Sequence, residues 1–471
     1  MQMYVAGEWR GAEREEEVRN PFDGEVVGTV PVASAADAQA AIAAAVDGAA
    51  AMRGLSAWER NEILRRAAGL VEGSVEELAR TIALEVGKPL AEARGEAGRI
   101  ADLLRLSGTE GARLHGETVP VDASANGAGK LAFTLRQPCG TVVAITPFNY
   151  PALLVVHKVG PALAAGNAVV LKPARQTPLT ALFLTRTLLE AGLPENALQC
   201  LTGPGAELGD VLCADPRVRK ISFTGSTGVG EQITRVAGVK RLSLELGSNC
   251  PLIVLPDADL EQVAAATLTG GYVNAGQVCI SVQRVLVARE VYADFVDVLT
   301  PLVEGLRTGH PLDDATGLGP VISEAEAERV ERTIRAAVDG GATLLAGGER
   351  EGAVVSAAVV GDVDPAMELS RGELFGPAVA LTPVSGIDEA IALANDSDYG
   401  LGAGLFTSSI EHALRFAREV DSGSIQINSS PLWRADLMPY GGLKGSGIGK
   451  EGPRYAVEEM TELKTIVFHD T

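Results

Sequence analysis

Cations are in short supply along this chain: 40 Lys and Arg stand against 61 Asp and Glu, a formal net charge of −21. No basic block offsets that balance, which excludes nucleic-acid binding through the phosphate backbone as the main task. A small anionic ligand is not excluded, because one or two well-placed cations suffice to hold it. Cysteine is scarce too. Cys139, Cys200, Cys213, Cys250 and Cys279 form neither a CxxC pair nor an even framework, so a disulfide scaffold is excluded and a reduced, cytoplasmic setting is expected. The five histidines are scattered, and no His/Cys/Asp/Glu group has metal-ligand spacing, so no metal is expected. Long hydrophobic runs are also missing. One long uncharged stretch, 141–156, is too short to span a bilayer comfortably and carries Pro147, Asn149 and Pro151 in its middle. Residues 1–17 lack the apolar core of a secretory signal. These features predict a soluble protein.

What is present points to a large folded molecule. With 471 residues and 46% hydrophobic content, the chain can form two to four domains, and neither a disordered nor a fibrous chain fits. Windows 35–51, 57–73 and 75–86 are Ala-rich, with apolar residues at three- and four-residue spacing, and predict helices. A polar, Gly-dotted stretch at 115–130 and the alternating 131–136 predict a protruding arm. After Gly140, short β-rich runs alternate with helical segments, the signature of a doubly wound parallel sheet. Thr177-Pro178 predicts a helix start with a capping hydroxyl. A second alternation begins near Leu252, which puts a domain boundary near Gly247, and the last strand-like run is 461–468. The fold class expected is α/β, with two doubly wound domains.

Several positions could carry chemistry. Cys279, in Gly276-Gln277-Val278-Cys279-Ile280-Ser281, could be a nucleophile if something lowers its pKa; equally, an apolar-flanked Cys can be a small core residue. Glu245 ends an apolar strand, where desolvation would raise its pKa towards the range of a general base; pairing with a cation at a domain edge is the alternative. Phe223-Thr224-Gly225-Ser226-Thr227-Gly228 is a strand, a turn and a helix start whose exposed N–H groups suit a diphosphate, although it is neither GxGxxG nor a Walker loop. Lys172 ends another strand, at the edge where open α/β sheets bind ligands, or is simply solvated there. Asn149, between Pro147 and Pro151, could offer its side-chain N–H to an oxyanion or merely favour the turn.

Seven segments in register resemble the aldehyde dehydrogenase superfamily over essentially the whole chain. They are TPFNYP at 146–151, LKPA at 171–174, FTGSTGVG at 223–230, LELGS at 244–248, GQVCIS at 276–281, ELFGP at 373–377 and PYGGLKGSG at 439–447. The resemblance implies that Cys279 is the thiolate nucleophile, that Asn149 and the Cys279 amide form the oxyanion hole, and that Glu245 activates the hydrolytic water. Lys158 matches a Lys implicated in proton relay, and Asn428 a position near the active site. The implied cofactor site comprises Thr146, Pro147, Phe148, Lys172, Ala174, Arg175, Gly205, Phe223, Thr224, Gly225, Ser226, Leu246, Glu373 and Phe375. The implied substrate tunnel holds Tyr150, His157, Val278, Ile280, Trp433 and Arg434. By the same resemblance, 1–115 and 137–246 form the NAD(P)-binding domain, 247–440 the catalytic domain, 116–136 with 461–471 an oligomerisation arm, and 441–460 a return to the cofactor domain. A homodimer or homotetramer is the implied assembly.

Some residues depart from the family pattern. Arg175 stands where NAD-preferring members commonly have Glu; it suits a 2′-phosphate, which points to NADP over NAD. His157 and Arg434 replace common tunnel features, and with only 4% aromatic residues the pocket is predicted to be polar, for a small hydroxyaldehyde, semialdehyde or aldehyde with an anionic tail. Ser248 and Cys250 also depart from the pattern after Glu245. The alternatives are a CoA-acylating relative, which typically lacks the Glu245 carboxylate, and a non-catalytic binding or scaffold protein, which would have lost Cys279, Glu245 or Asn149. Glu245→Gln is expected to keep an initial burst of reduced cofactor while losing steady turnover; rapid-mixing absorbance separates the phases, and equal loss of both would remove Glu245 from the hydrolytic step.

Overall fold

The computed structural model describes residues 1–469; the last two residues of the expected 461–471 arm segment lie outside that range. The N-terminal helices follow the Ala-rich windows closely, at Ala35–Gly54, Ala57–Glu72 and Val75–Val86. Ser34 with Asp37, and Ser56 with Glu59, form reciprocal capping boxes that satisfy the first free amides of two of them. The third stops at Gly87 in the left-handed region (φ +81°), where a Cβ would fall 2.6 Å from Pro320 and 2.7 Å from Pro21. Only glycine fits there. A fourth helix, Leu90–Ala112, packs along the others and runs on towards the middle of the molecule.

Two sheets carry the rest. The first has eight strands, and its inner five (Leu198–Cys200, Ala168–Lys172, Thr141–Ile145, Val218–Thr224 and Arg241–Glu245) are parallel. Chain order reverses between Thr141–Ile145 and Val218–Thr224, which opens a crevice at their carboxyl ends. Gly447–Ile448 returns from the far C-terminal region to pair antiparallel with Leu244 and Glu245. The second sheet has seven strands ordered around Arg284–Ala288 and Pro251–Val254, all parallel except the edge strand Thr343–Ala346. Each sheet is sandwiched by its own apolar clusters, as strands buried on both faces require. A separate antiparallel sheet joins Thr118–Val119, Leu131–Pro138 and Thr461–Phe468. Leu131, Leu135, Leu463 and Phe468 stay exposed on it. Among the described residues no helix is long and apolar enough to cross a membrane.

The predicted hydroxyl cap at Thr177 is not formed. Its backbone is outside the cap conformation (φ −131°, ψ 54°) and its buried Oγ1 has no partner. Glu85 takes the role instead: its carboxylate accepts from the amides of Leu179 at 2.9 Å and Thr180 at 3.0 Å, while Pro178 contributes no N–H. A side chain 94 residues away in sequence displaced the local signal. Burial pushes the Glu85 carboxyl up to about 8 from 4.5, so the stability it contributes falls as pH rises across that interval. Glu85→Ala leaves two helix amides unsatisfied and is expected to lower unfolding stability by about 2 kcal/mol, read as a shift in urea midpoint at unchanged slope.

Candidate active site

The turn 146–151 leaves the carboxyl end of Thr141–Ile145 and meets the segment that follows helix Leu260–Tyr272. There the backbone turns through Asn274, Ala275 and Gly276, all at positive φ (53°, 54° and 69°). A Cβ on Gly276 would fall 2.1 Å from the Gly376 carbonyl, so glycine is obligatory. Asn149 Nδ2 donates to the Gln277 carbonyl at 2.8 Å, which sets the turn of the first sheet against the cysteine loop of the second. Asn149 and Cys279 then face one cavity of about 470 Å³. Cys279 Sγ lies 2.9 Å from the Tyr440 hydroxyl. Burial pushes the thiol up to about 12, and the Tyr440 hydrogen bond pulls against it.

Glu245 ends its strand fully buried, with no hydrogen bond to either carboxylate oxygen. Desolvation raises its pKa well above the usual carboxylate range; the charge of Glu451 adds to this, and Lys158, Arg434 and Lys450 oppose it. The backbone comes close to it only because residue 441 is glycine, where a Cβ would sit 2.8 Å from the Glu245 Oε1. Lys158 donates to Glu451 at 2.7 Å, both buried.

Arg434 lies over the Tyr440 ring at 3.8 Å. One of its terminal nitrogens is 3.3 Å from His157 and 3.4 Å from Glu451, while its buried Nε has no partner. His157 is not a wall of the cavity, contrary to expectation. It sits behind Arg434, 3.3 Å from Asp436, and burial with the Arg434 charge lowers its pKa to about 4, so it is neutral. The walls are less polar than predicted as well. Tyr150, Leu153, Leu154, Val278, Ile280 and Leu432 supply aliphatic and aromatic surface, Arg99 and Arg434 supply charge, and Trp433 stands half-exposed beside them. Scarcity of aromatics was met by leucine and isoleucine, not by polar groups. Asn428 does not line the cavity; its Oδ1 accepts from the Thr407 amide and fixes the base of the loop.

The crevice at the switch point fits a dinucleotide. Thr146 and Thr224, at the ends of neighbouring strands, have buried hydroxyls without partners. Ser226 caps helix Thr227–Val236 with no side-chain hydrogen bond to its amides, leaving that N-terminus free for a diphosphate. A Cβ at Gly225 would meet the Phe223 ring at 2.5 Å, and one at Gly230 would meet Leu246 at 2.4 Å. Glu373 accepts from the Ser248 amide, and burial pushes it up to about 7. Phe375 packs edge-on to Phe148 at 5.9 Å, with Pro147 on the same turn. Lys172 is buried, its Nζ 2.5 Å from the Pro173 carbonyl, and desolvation lowers it to about 8. Ala174 follows on the same loop, and Gly205 opens helix Gly205–Ala214. Arg175 is exposed and its Nε donates to Glu16 at 2.8 Å. Sequence reasoning missed Arg99, Gln277 and Glu451 and gave no role to Tyr440. Tyr440 and Gln277 stand inside quoted motifs, whereas nothing local marks Arg99.

The model for the aldehyde dehydrogenase family matches residues 9–466. The chain belongs to the aldehyde dehydrogenase family. It is 47% identical over 467 residues to a 3-sulfolactaldehyde dehydrogenase of Priestia aryabhattai, covering 99% of this chain and 98% of that protein. A lactaldehyde dehydrogenase of Methanococcus aeolicus is 38% identical, with 99% of each chain covered. The crystal structure of NADP-dependent glyceraldehyde-3-phosphate dehydrogenase from Bacillus halodurans, complexed with NADP, superposes at a TM-score of 0.97 with 36% identity, over 99% of this chain and 98% of that one. In this dehydrogenase, Tyr440→Phe removes the donor to Cys279 without removing the ring under Arg434. Alkylation of Cys279 by iodoacetamide at pH 8 is expected to slow roughly tenfold, the size of one hydrogen bond to a charged group.

Proposed function

We propose that this dehydrogenase oxidises a small aldehyde with an anionic tail to its carboxylic acid, with NADP preferred over NAD. Arg434 carries the reading: its guanidinium lines the cavity and makes its hydrogen bonds through one terminal nitrogen, which leaves further N–H groups for a sulfonate or carboxylate. Arg99 adds positive charge at the same cavity but is already engaged by Asp436 at 2.6 Å. The relatives named for sulfolactaldehyde and lactaldehyde support the same substrate size and polarity. Arg175 supports NADP, since a guanidinium held through Nε keeps its other N–H groups for a 2′-phosphate.

The chemistry follows from the positions of the side chains. The Cys279 thiolate, favoured by the Tyr440 hydroxyl, attacks the carbonyl carbon and forms a thiohemiacetal. Asn149 Nδ2 and the Cys279 amide donate to the oxygen as it gains charge. A bound nicotinamide supplies the acceptor for the hydride that leaves this carbon. Glu373 and Phe375 would hold its ribose and ring, with Lys172, Ser226 and the loop around Thr224 on the adenosine and diphosphate. The resulting thioester is open to water. Glu245, with high proton affinity and two unoccupied oxygens, takes the proton from that water, and the thiolate leaves. Lys158 and Glu451 lie next to Glu245 and complete a route for its proton. The acylating and non-catalytic alternatives gain no support, since Cys279, Glu245 and Asn149 are all present.

The proposed division keeps the cofactor domain to 1–115 and 137–246, the catalytic domain to 247–440 and the return to 441–460. The exposed apolar residues Leu131, Leu135, Leu463 and Phe468 support the three-stranded sheet as the oligomerisation arm of a homodimer or homotetramer. Five unpaired cysteines support a cytoplasmic setting. One panel tests substrate and cofactor together: sulfonate- and carboxylate-tailed aldehydes against neutral aldehydes of equal length, each with NADP and NAD, for the natural sequence and Arg434→Met. The anionic aldehydes are expected to lead in kcat/KM with NADP, and Arg434→Met to lose about tenfold to a hundredfold more on them than on neutral ones. A neutral alkyl aldehyde as best substrate, or a strong NAD preference, would overturn the corresponding half.

A further inference from the structure

Helix Leu90–Ala112 carries Glu92, Glu96 and Arg99 at spacings of four and three, on one face. Each reaches a different segment of the catalytic site. Glu96 accepts from the amides of Ala152 at 2.9 Å and Leu153 at 3.0 Å, where helix Leu153–Ala164 begins just after the Asn149 turn. Its other oxygen takes the Lys88 ammonium at 2.6 Å. Arg99 holds Asp436 with two hydrogen bonds, in the loop that bears Arg434. Glu92 crosses to the second sheet's side and accepts from the Asn274 amide at 2.8 Å.

Asn274 is an unusual residue to grip. It is the first of the consecutive left-handed residues that turn the chain towards Cys279, a conformation that costs an L-residue about 1 kcal/mol. Its side-chain amide forks, at 3.2 Å to the Asn149 carbonyl and 3.4 Å to the Gln277 carbonyl. The Gln277 carbonyl is the acceptor that orients Asn149 Nδ2. Asn274 therefore links the oxyanion donor to the nucleophile's loop, and its own amide is fixed by Glu92 alone among side chains described at this point.

We propose that Glu92 is a positioning residue for the oxyanion hole: through the Asn274 amide it holds the left-handed turn that aligns Asn149 with Cys279. This rests on the reading of Cys279 as nucleophile and Asn149 as oxyanion donor. Glu92 touches no reacting atom and works by removing slack from the turn, where a misplacement of about 1 Å costs roughly a hundredfold in rate. A neutral acceptor of the same length serves equally well, so the carboxylate charge is not needed.

The test is the single-turnover rate of reduced-cofactor formation, measured beside the cofactor Kd by fluorescence quenching. A burst in the natural sequence that vanishes in Cys279→Ser establishes the underlying reading; its absence would overturn that reading. Given the burst, Glu92→Ala is expected to slow it about tenfold or more at unchanged cofactor Kd, and Glu92→Gln to stay within about threefold of the natural rate. A natural rate in Glu92→Ala, or a rate in Glu92→Gln as slow as in Glu92→Ala, would overturn the proposal. Should Glu92→Ala fail to fold, Glu92→Asp decides: the shorter carboxylate keeps the charge but withdraws the acceptor from the Asn274 amide, and it is expected to slow the burst by the same factor. A natural burst rate in Glu92→Asp would then overturn the proposal.

Discussion

Glu245 is buried at the end of a strand with neither carboxylate oxygen hydrogen-bonded, and its surroundings answer the desolvation this imposes. Lys158, Arg434 and Lys450 supply positive charge near it, while Glu451 supplies negative charge and is itself paired with Lys158. The result is two neighbouring carboxyls with proton affinities pushed apart: Glu451 is held below the usual range by its cations, and Glu245 is raised above it by burial. Of the two, Glu245 holds a proton the more tightly. A fully satisfied carboxylate would stabilise the fold more and accept protons less. In the proposed mechanism the unmet hydrogen bonds are what suit Glu245 to accept a proton, and a Cβ at Gly441 would crowd its Oε1 at 2.8 Å.

The architecture explains how such a group can meet Cys279, the proposed nucleophile, from another sheet. Strand Arg241–Glu245 ends at the crevice, and Gly447–Ile448 returns to pair with it, which brings the 433–451 loop and its Arg434, Tyr440 and Glu451 over the site. The turn 146–151 and the loop 273–281 approach from opposite sheets and meet through Asn149 and Gln277. Helix Leu90–Ala112, which belongs to neither sheet, touches all three segments. Geometry precise enough for acyl transfer is therefore spread over contacts more than a hundred residues apart in sequence.

Alternation and Ala-rich periodicity made both sheets and the first helices legible, because strands buried on two faces and amphipathic helices write their own spacing. Motifs made Cys279, Asn149 and Glu245 legible as candidates, and the structure brings Asn149 and Cys279 to one cavity. What failed were readings that needed a partner far away in sequence. Thr177 looked like a helix cap, but Glu85 reached it first. His157 looked like a tunnel residue, but Asp436 and Arg434 hold it behind the wall. Arg99 was invisible because one Arg on an amphipathic helix carries no local mark of the cavity it lines. Net charge was silent about the ligand: the chain totals −21, while the cavity holds Arg99 and Arg434.

The central claim is that chemistry passes through an acyl group on Cys279 that Glu245 clears. Intact-mass and peptide mass spectrometry of Glu245→Gln, quenched after incubation with aldehyde and oxidised cofactor, tests it most directly. A single acyl adduct confined to the Cys279 peptide is expected. No adduct, or an adduct on Cys250 or another cysteine, would contradict it.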